Sequence, residues 1–212
     1  MTLQAPIVCL VTDRGRLGGS LERLVRLCGD AARAGASLIH LRERDLGGRA
    51  LHQVASAVAA AARGTGAAVV VNDRADVAAG AGAQGVHLRS DSPSPRRVRA
   101  LPWAVPPFLV GRSVRSVADA QAAAREGCDY LIFGTVFRSA GKPAGHAVAG
   151  ASALEEVARA VRIPVIAIGG VTVDTAAEAA RAGAAGVAGI GAFAESADVG
   201  ATIAALRRAF DT

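Results

Sequence analysis

Lys142 is the single lysine in a chain whose 24 basic residues are otherwise all arginine. It lies in GTVFRSAGKPAGH (134–146), four residues before His146. A compact ammonium and an imidazole on a glycine-rich loop suit anion binding and proton transfer. The same position also suits ordinary surface charge. Other chemistry-bearing residues follow short apolar runs: His40, Arg42 and Arg44 in IHLRER, Asn72 and Asp73 in VVVND, and Arg89 and Asp91 after GVHL. Arg112, Ser113 and Arg115 occupy GRSVR, and Thr135 follows YLIFG. Several arginines beside two or three carboxylates point to an anionic, phosphorylated ligand, and Asp73 offers oxygen to Mg²⁺. It could equally cap a helix. Arg42 is read either as a ligand contact or as the partner of a structural carboxylate, Asp73 or Asp13. His87, inside an apolar run, reads as a hydrogen-bonded core histidine.

The elements that must position these groups repeat regularly. Apolar runs at 6–13, 37–44, 67–73, 85–89, 108–113, 130–137, 164–170 and 186–193 are mostly continuous rather than alternating. Parallel strands covered on both faces look like this. Between them lie Ala/Leu/Arg segments with helical spacing, such as 20–35 and 116–127. Ser20, Ser116 and Thr172 stand where N-caps belong, and Gly35, Gly127 and Gly183 where helices end. Eight such units without a linker predict a single (β/α)8 TIM barrel over residues 1–212, with an open doubly wound sheet as the alternative. In a barrel the groups at the strand C-termini share one mouth. The IGG of 168–170 and GIG of 189–191 end the last two strands, where barrels commonly cradle phosphate on backbone N–H groups.

Composition narrows the function class. Hydrophobic residues make up 51% and charged ones 20%, which describes a folded chain rather than a disordered one. A formal charge of +6 would allow nucleic-acid binding, but the arginines are dispersed and only 3% of residues are aromatic, so stacking platforms are lacking. Cys9, Cys28 and Cys128 have no metal-type spacing and read as buried thiols of a reducing compartment. With no basic region before the first apolar run and no uncharged stretch of membrane-spanning length, a cytoplasmic protein is expected.

The ordered motifs LVTDRG, IHLRER, VNDRADVA, GVHLRSD, GRSVRS, DYLIFGTVF with GKP, PVIAIGGV and GAAGVAGI resemble the thiamin phosphate synthase family, which includes thiazole tautomerase. The resemblance implies a (β/α)8 barrel acting on thiazole phosphate in thiamin biosynthesis. For a synthase, it implies joining an aminopyrimidine diphosphate to thiazole phosphate, with Mg²⁺ assisting diphosphate departure. The family's Gln-x-Arg-x-Lys strand is here His40, Arg42 and Arg44. Its asparagine and first Mg²⁺ aspartate fall on Asn72 and Asp73. Its second Mg²⁺ aspartate falls on Ser92, leaving Asp91 one residue away. Gly-x-Ser-x-His survives as Gly111, Ser113 and Arg115. The thiazole loop falls on Ser139 to Lys142, and the phosphate positions on Gly170, Ile190 and Gly191, with Gly169 beside them.

These departures resemble the tautomerase branch, which moves a proton on a carboxylated thiazole phosphate and needs no cofactor. That branch's histidine falls on Thr135, so His146 or His40 is the expected acid/base. Three readings result: a tautomerase-like isomerase, a synthase with Asp73 and Asp91 holding Mg²⁺, or a non-catalytic thiazole-phosphate binder. The expected partner is a phosphorylated thiazole, with no nucleic acid or membrane, and a homo-oligomer is compatible with each reading.

Overall fold

Continuous apolar strands need cover on both faces, and the computed structural model shows how the chain supplies it. Residues 3–139 and 147–211 are described. Eight strands, β1 (Ile7–Val11), β2 (Leu38–Leu41), β3 (Ala68–Asn72), β4 (Gly85–Leu88), β5 (Leu109–Val114), β6 (Tyr130–Gly134), β7 (Val165–Ile168) and β8 (Gly186–Gly189), pair in sequence order. All pairs are parallel, and β8 closes on β1 with Ile7 opposite Gly186 and Leu10 opposite Gly189. The closed (β/α)8 barrel is therefore present as expected, and the open sheet is not.

Helices wrap the outside: α1 (Leu21–Arg33), α2 (Gly48–Ala61), α3 (Ala75–Gly80), α4 (Pro95–Arg99), α5 (Val117–Arg125), α6 (Gly150–Ala160), α7 (Val173–Arg181), α8 (Gly191–Ala194) and α9 (Val199–Arg208). The expected caps are made. Ser20 accepts from Arg23 N at 3.1 Å, Ser116 from Asp119 N at 3.1 Å, and Thr172 from Thr175 N at 3.2 Å. Thr175 answers by accepting the N–H of Thr172 at 2.8 Å, so both ends of that turn are satisfied reciprocally. Among the described residues no helix is long and apolar enough to cross a membrane.

Alternation along each strand sorts side chains into two cores. Ile7, Cys9, Leu38, Val70, Leu109, Tyr130 and Ile166 fill the barrel, whereas Val8, Leu10, Ile39, Val69 and Val71 face the helices. The barrel interior has room for few large groups. A Cβ on Gly111 would stand 2.1 Å from Cζ of Tyr130, so glycine on β5 is what admits that ring.

Two expected boundaries differ. The run 37–44 forms a strand only as far as Leu41, because the chain then turns to follow hydrogen bonds across to β1. Arg42 N donates to Thr12 Oγ1 at 2.9 Å, and that hydroxyl donates to Glu43 Oε1 at 2.7 Å. His40, Arg42 and Arg44 thus do not share one strand face. The run 186–193 ends as a strand at Gly189, and its last residues open the short helix α8. Of the arginine cluster at 96–99, Arg99 is structural: its Nη1 donates to the carbonyls of Ala104 and Phe108 at 2.9 and 2.8 Å, and it pairs with Asp129.

Candidate active site at the barrel mouth

The polar residues at the strand C-termini converge on a buried hydrogen-bonded chain. His40 on β2 is 4% exposed, and its Nε2 lies 3.2 Å from Oδ1 of Asn72 on β3. The amide nitrogen of Asn72 donates to Asp73 Oδ2 at 2.9 Å, so Oδ1 is free only to accept. Nε2 of His40 is therefore the protonated nitrogen, and Nδ1 is a bare acceptor, buried and without a partner among the described residues. Burial pushes the His40 pKa down to about 4, despite the bond to Asn72, so the ring is neutral at pH 7.

Beside it, the His87 ring lies with its centroid 4.4 Å from that of His40. Its Nδ1 is 3.1 Å from the Tyr130 hydroxyl and its Nε2 is 2.9 Å from Ser113 Oγ. The sequence reading of His87 as a bonded core histidine matches this geometry. Burial, with His40 adjacent, holds its pKa well below the usual value. Ser113 is thereby tied to the barrel interior. The part played by Tyr130 escaped the sequence reading, although it is the only tyrosine and sits inside an apolar strand.

Asp73 follows β3 with φ 58°, a left-handed conformation that a non-glycine residue adopts only when its surroundings enforce it. The enforcement is visible. Its N–H donates to the His87 carbonyl at 2.9 Å, and its Oδ1 accepts from Arg89 N at 3.1 Å and from the Ser92 hydroxyl. Arg89 Nε stands 2.6 Å from Oδ2, an ion-pair distance, with its N–H directed off the line to that oxygen. Asp91 is more remote, 3.4 Å from the same Nε and largely exposed.

These residues do not fit Mg²⁺ as the resemblance would have it. Both carboxylate oxygens of Asp73 already accept hydrogen bonds, a guanidinium holds the cation position, and Ser92 supplies a donor where a second carboxylate would be needed. Among the described residues, no three His, Cys, Asp or Glu side chains come together as a metal site.

Arg42 and Arg44 complete this side of the mouth. Asp13 pairs with Arg16 and Asp73 with Arg89, so neither structural carboxylate takes Arg42. Among the described residues, neither Arg42 nor Arg44 has an ion-pair partner. Arg44, Asn72, Asp73, Arg74 and Arg89 line a cavity of about 290 Å³. Glu43 lines the same cavity, 5% exposed, and accepts from Thr12 and from the N–H of Arg14. Burial raises its pKa.

The opposite side is backbone. Gly169 and Gly170 have φ 105° and 62°, and a Cβ on Gly170 would stand 2.4 Å from the carbonyl oxygen of Arg138. Ile190 caps α8, and Gly191 begins it. Thr135 lies between the two sides, against Gly169. Ser139 is half-buried at the edge of the described chain, and Lys142 and His146 lie outside the described residues.

The pattern of the family described as thiamine monophosphate synthase matches residues 8–193. A thiamine-phosphate synthase of Methanoculleus marisnigri is 42% identical over 93% of this chain and 92% of its own length. One from Anaeromyxobacter dehalogenans is also 42% identical, over 93% and 90%. The solved thiamine phosphate pyrophosphorylase of Pyrococcus furiosus superimposes with a TM-score of 0.83 at 29% identity, covering 97% of this chain and 95% of that one. The expected lean toward the tautomerase branch is not supported, since these relatives carry the synthase name. Matched over most of its length in both sequence and fold, the chain belongs to the thiamine monophosphate synthase family.

Proposed function

We propose that this protein is a thiamine-phosphate synthase, a transferase of thiamin biosynthesis, rather than an isomerase. The observation that carries this reading is the 42% identity to a named synthase over nearly the whole of both chains. The two-sided mouth agrees with it. The reaction needs one place for a diphosphate and another for a monophosphate. The arginine-lined side supplies Arg42 and Arg44 for the first. The glycine side, with Gly169, Gly170, Ile190 and Gly191, supplies backbone N–H groups for the second.

In the reaction so read, the thiazole nitrogen lone pair forms a bond to the pyrimidine methylene carbon. The carbon–oxygen bond to diphosphate breaks, and its electron pair leaves with that oxygen. No proton moves in this step. The work of the protein is to align the two rings and stabilise the departing anion. Asn72, bonded to His40, and Ser113, bonded to His87, are assigned in this reading to the space where the rings meet. In this reading Lys142 and Ser139 belong to the loop covering the thiazole, and His146 and Thr135 have no proton-transfer duty.

The test gives purified protein both half-molecules and measures thiamin phosphate and released diphosphate in parallel. Equal amounts of both products are expected. Conversion of a carboxylated thiazole phosphate alone, slowed in His146→Ala, would instead identify an isomerase.

A further inference from the structure

We propose that Arg89 is a resident cation that takes the place of a divalent metal at Asp73, and that it meets the diphosphate with its guanidinium. This rests on the synthase reading for the identity of the anion. The replacement of the metal rests on the geometry of this chain alone.

Arg89 clasps Asp73 twice. Its backbone N–H donates to Oδ1 at 3.1 Å, and its Nε stands 2.6 Å from Oδ2. The clasp is more than a long side chain lying across an open carboxylate. The same backbone N–H also donates to Ser92 Oγ at 3.1 Å, and that hydroxyl donates in turn to Asp73. The segment is fixed from its other side by Arg112 on β5. The guanidinium of Arg112 donates to the carbonyls of Ser90, Ser92 and Pro93 at 2.9, 3.2 and 3.0 Å. Loop, hydroxyl and aspartate are thus built around one another, with Asp73 held at φ 58° in the middle.

The consequence is electrostatic. A divalent ion at Asp73 would meet a carboxylate already accepting from three donors, the Asn72 amide, the Arg89 N–H and the Ser92 hydroxyl, and would approach a permanent positive charge. The Nε of Arg89 faces Asp73, while the two Nη groups make no hydrogen bond among the described residues, and the side chain is 36% exposed. Arg89 and Arg44 line the same cavity on this side of the mouth. When the carbon–oxygen bond breaks, negative charge grows on the diphosphate. Planar N–H pairs are suited to receive it.

Two equilibrium measurements test this without relying on turnover. In EDTA, the wild type is expected to bind inorganic diphosphate by calorimetry. Arg89→Gln should lose about tenfold or more, the worth of a charge-assisted hydrogen bond. Arg89→Lys, which keeps the charge, should retain most of the binding. Mn²⁺ titrated without diphosphate and followed by electron paramagnetic resonance should bind weakly to the wild type. It should bind about tenfold or more tightly to Arg89→Gly and Arg89→Gln, in which the repelling charge is gone. Mn²⁺ binding as tight in the wild type as in these variants would overturn the proposal. So would diphosphate binding that needs the metal and ignores Arg89. If Arg89→Gly does not fold, the Gln and Lys variants decide. Failure of the synthase reading is separate: it shows as absence of product from the two half-molecules, and the Mn²⁺ comparison still judges Arg89.

Discussion

His40 donates from Nε2 to Oδ1 of Asn72 across 3.2 Å, and this single bond dictates which nitrogen of the ring is bare. The neutral ring is also the source of a pH dependence. Its pKa is about 4 in the fold against 6.5 for a free histidine, because burial penalises the cation. Between these values the unfolded chain binds the extra proton and the folded chain does not. Stability is therefore full above pH 6.5 and falls as the pH drops toward 4, by about 3 kcal/mol for His40 alone. The depressed pKa of His87 adds to the same loss. Urea midpoints measured from pH 7 to 4.5 should fall steadily. His40→Gln, which keeps an amide donor but no titrating nitrogen, should remove about one proton from the slope. An unchanged slope would place the effect elsewhere.

The Thr12–Glu43 bond should be structural. Thr12 and Glu43 are 3% and 5% exposed, and the hydroxyl both donates to the carboxylate and accepts from Arg42 N. Thr12→Val removes both functions in one isosteric step, leaving a buried carboxylate short of a donor. A loss of about 1–3 kcal/mol is expected in chemical unfolding. The start of the β2–α2 segment, and Arg42 with it, should loosen. Faster amide exchange at Arg42 in the variant would register this.

The same pair marks how far the sequence could be read. The barrel was legible because continuous apolar runs, serine and threonine caps and terminal glycines all recur together, and the caps at Ser20, Ser116 and Thr172 form as expected. The end of β2 was not, since hydrophobic alternation treats Glu43 as one more outward residue. Only the geometry shows the hydroxyl of Thr12, just past the end of β1, reaching it. Arg89 was visible as a residue at a strand end, but its partner depends on the left-handed turn at Asp73, which no local pattern announces. Reading Asp73 with Asp91 as a metal pair followed the family resemblance, which carries no information on the donors that meet the Asp73 carboxylate in the fold, the Asn72 amide, the Arg89 N–H and the Ser92 hydroxyl. The lean toward an isomerase rested on a few substituted positions, whereas the comparisons weigh the whole chain.

The three thiols should be silent in the native protein. Cys9, Cys28 and Cys128 are free and buried, and burial pushes all three pKa values up, Cys28 and Cys128 to about 12. A thiol held in that state has almost no thiolate to react. Ellman's reagent should titrate none of them in buffer and all three in denaturant. Rapid native labelling of any one would show that its helix or strand opens locally.

Gly170 and Gly191 should respond very differently to alanine. Gly170 sits at φ 62°, and its Cβ would come within 2.4 Å of the Arg138 carbonyl oxygen and 2.8 Å of the Phe137 carbonyl carbon, so backbone would have to move. Gly191 has no positive φ, and its Cβ would meet only the ends of the Glu195 and Arg16 side chains at 3.3 and 3.4 Å, which can shift. Gly170→Ala therefore displaces the turn after β7, which the proposed function assigns to the thiazole phosphate. Losing one charge-assisted hydrogen bond there should raise the KM for that substrate about tenfold or more. Gly191→Ala leaves the N–H at the start of α8 where it is and should change KM by about twofold at most, since two flexible side-chain ends, those of Glu195 and Arg16, make way for the methyl. Equal effects from the two variants would mean that the phosphate is held elsewhere. A loss in Gly170→Ala confined to kcat would mean that the turn aligns the thiazole ring rather than binding its phosphate.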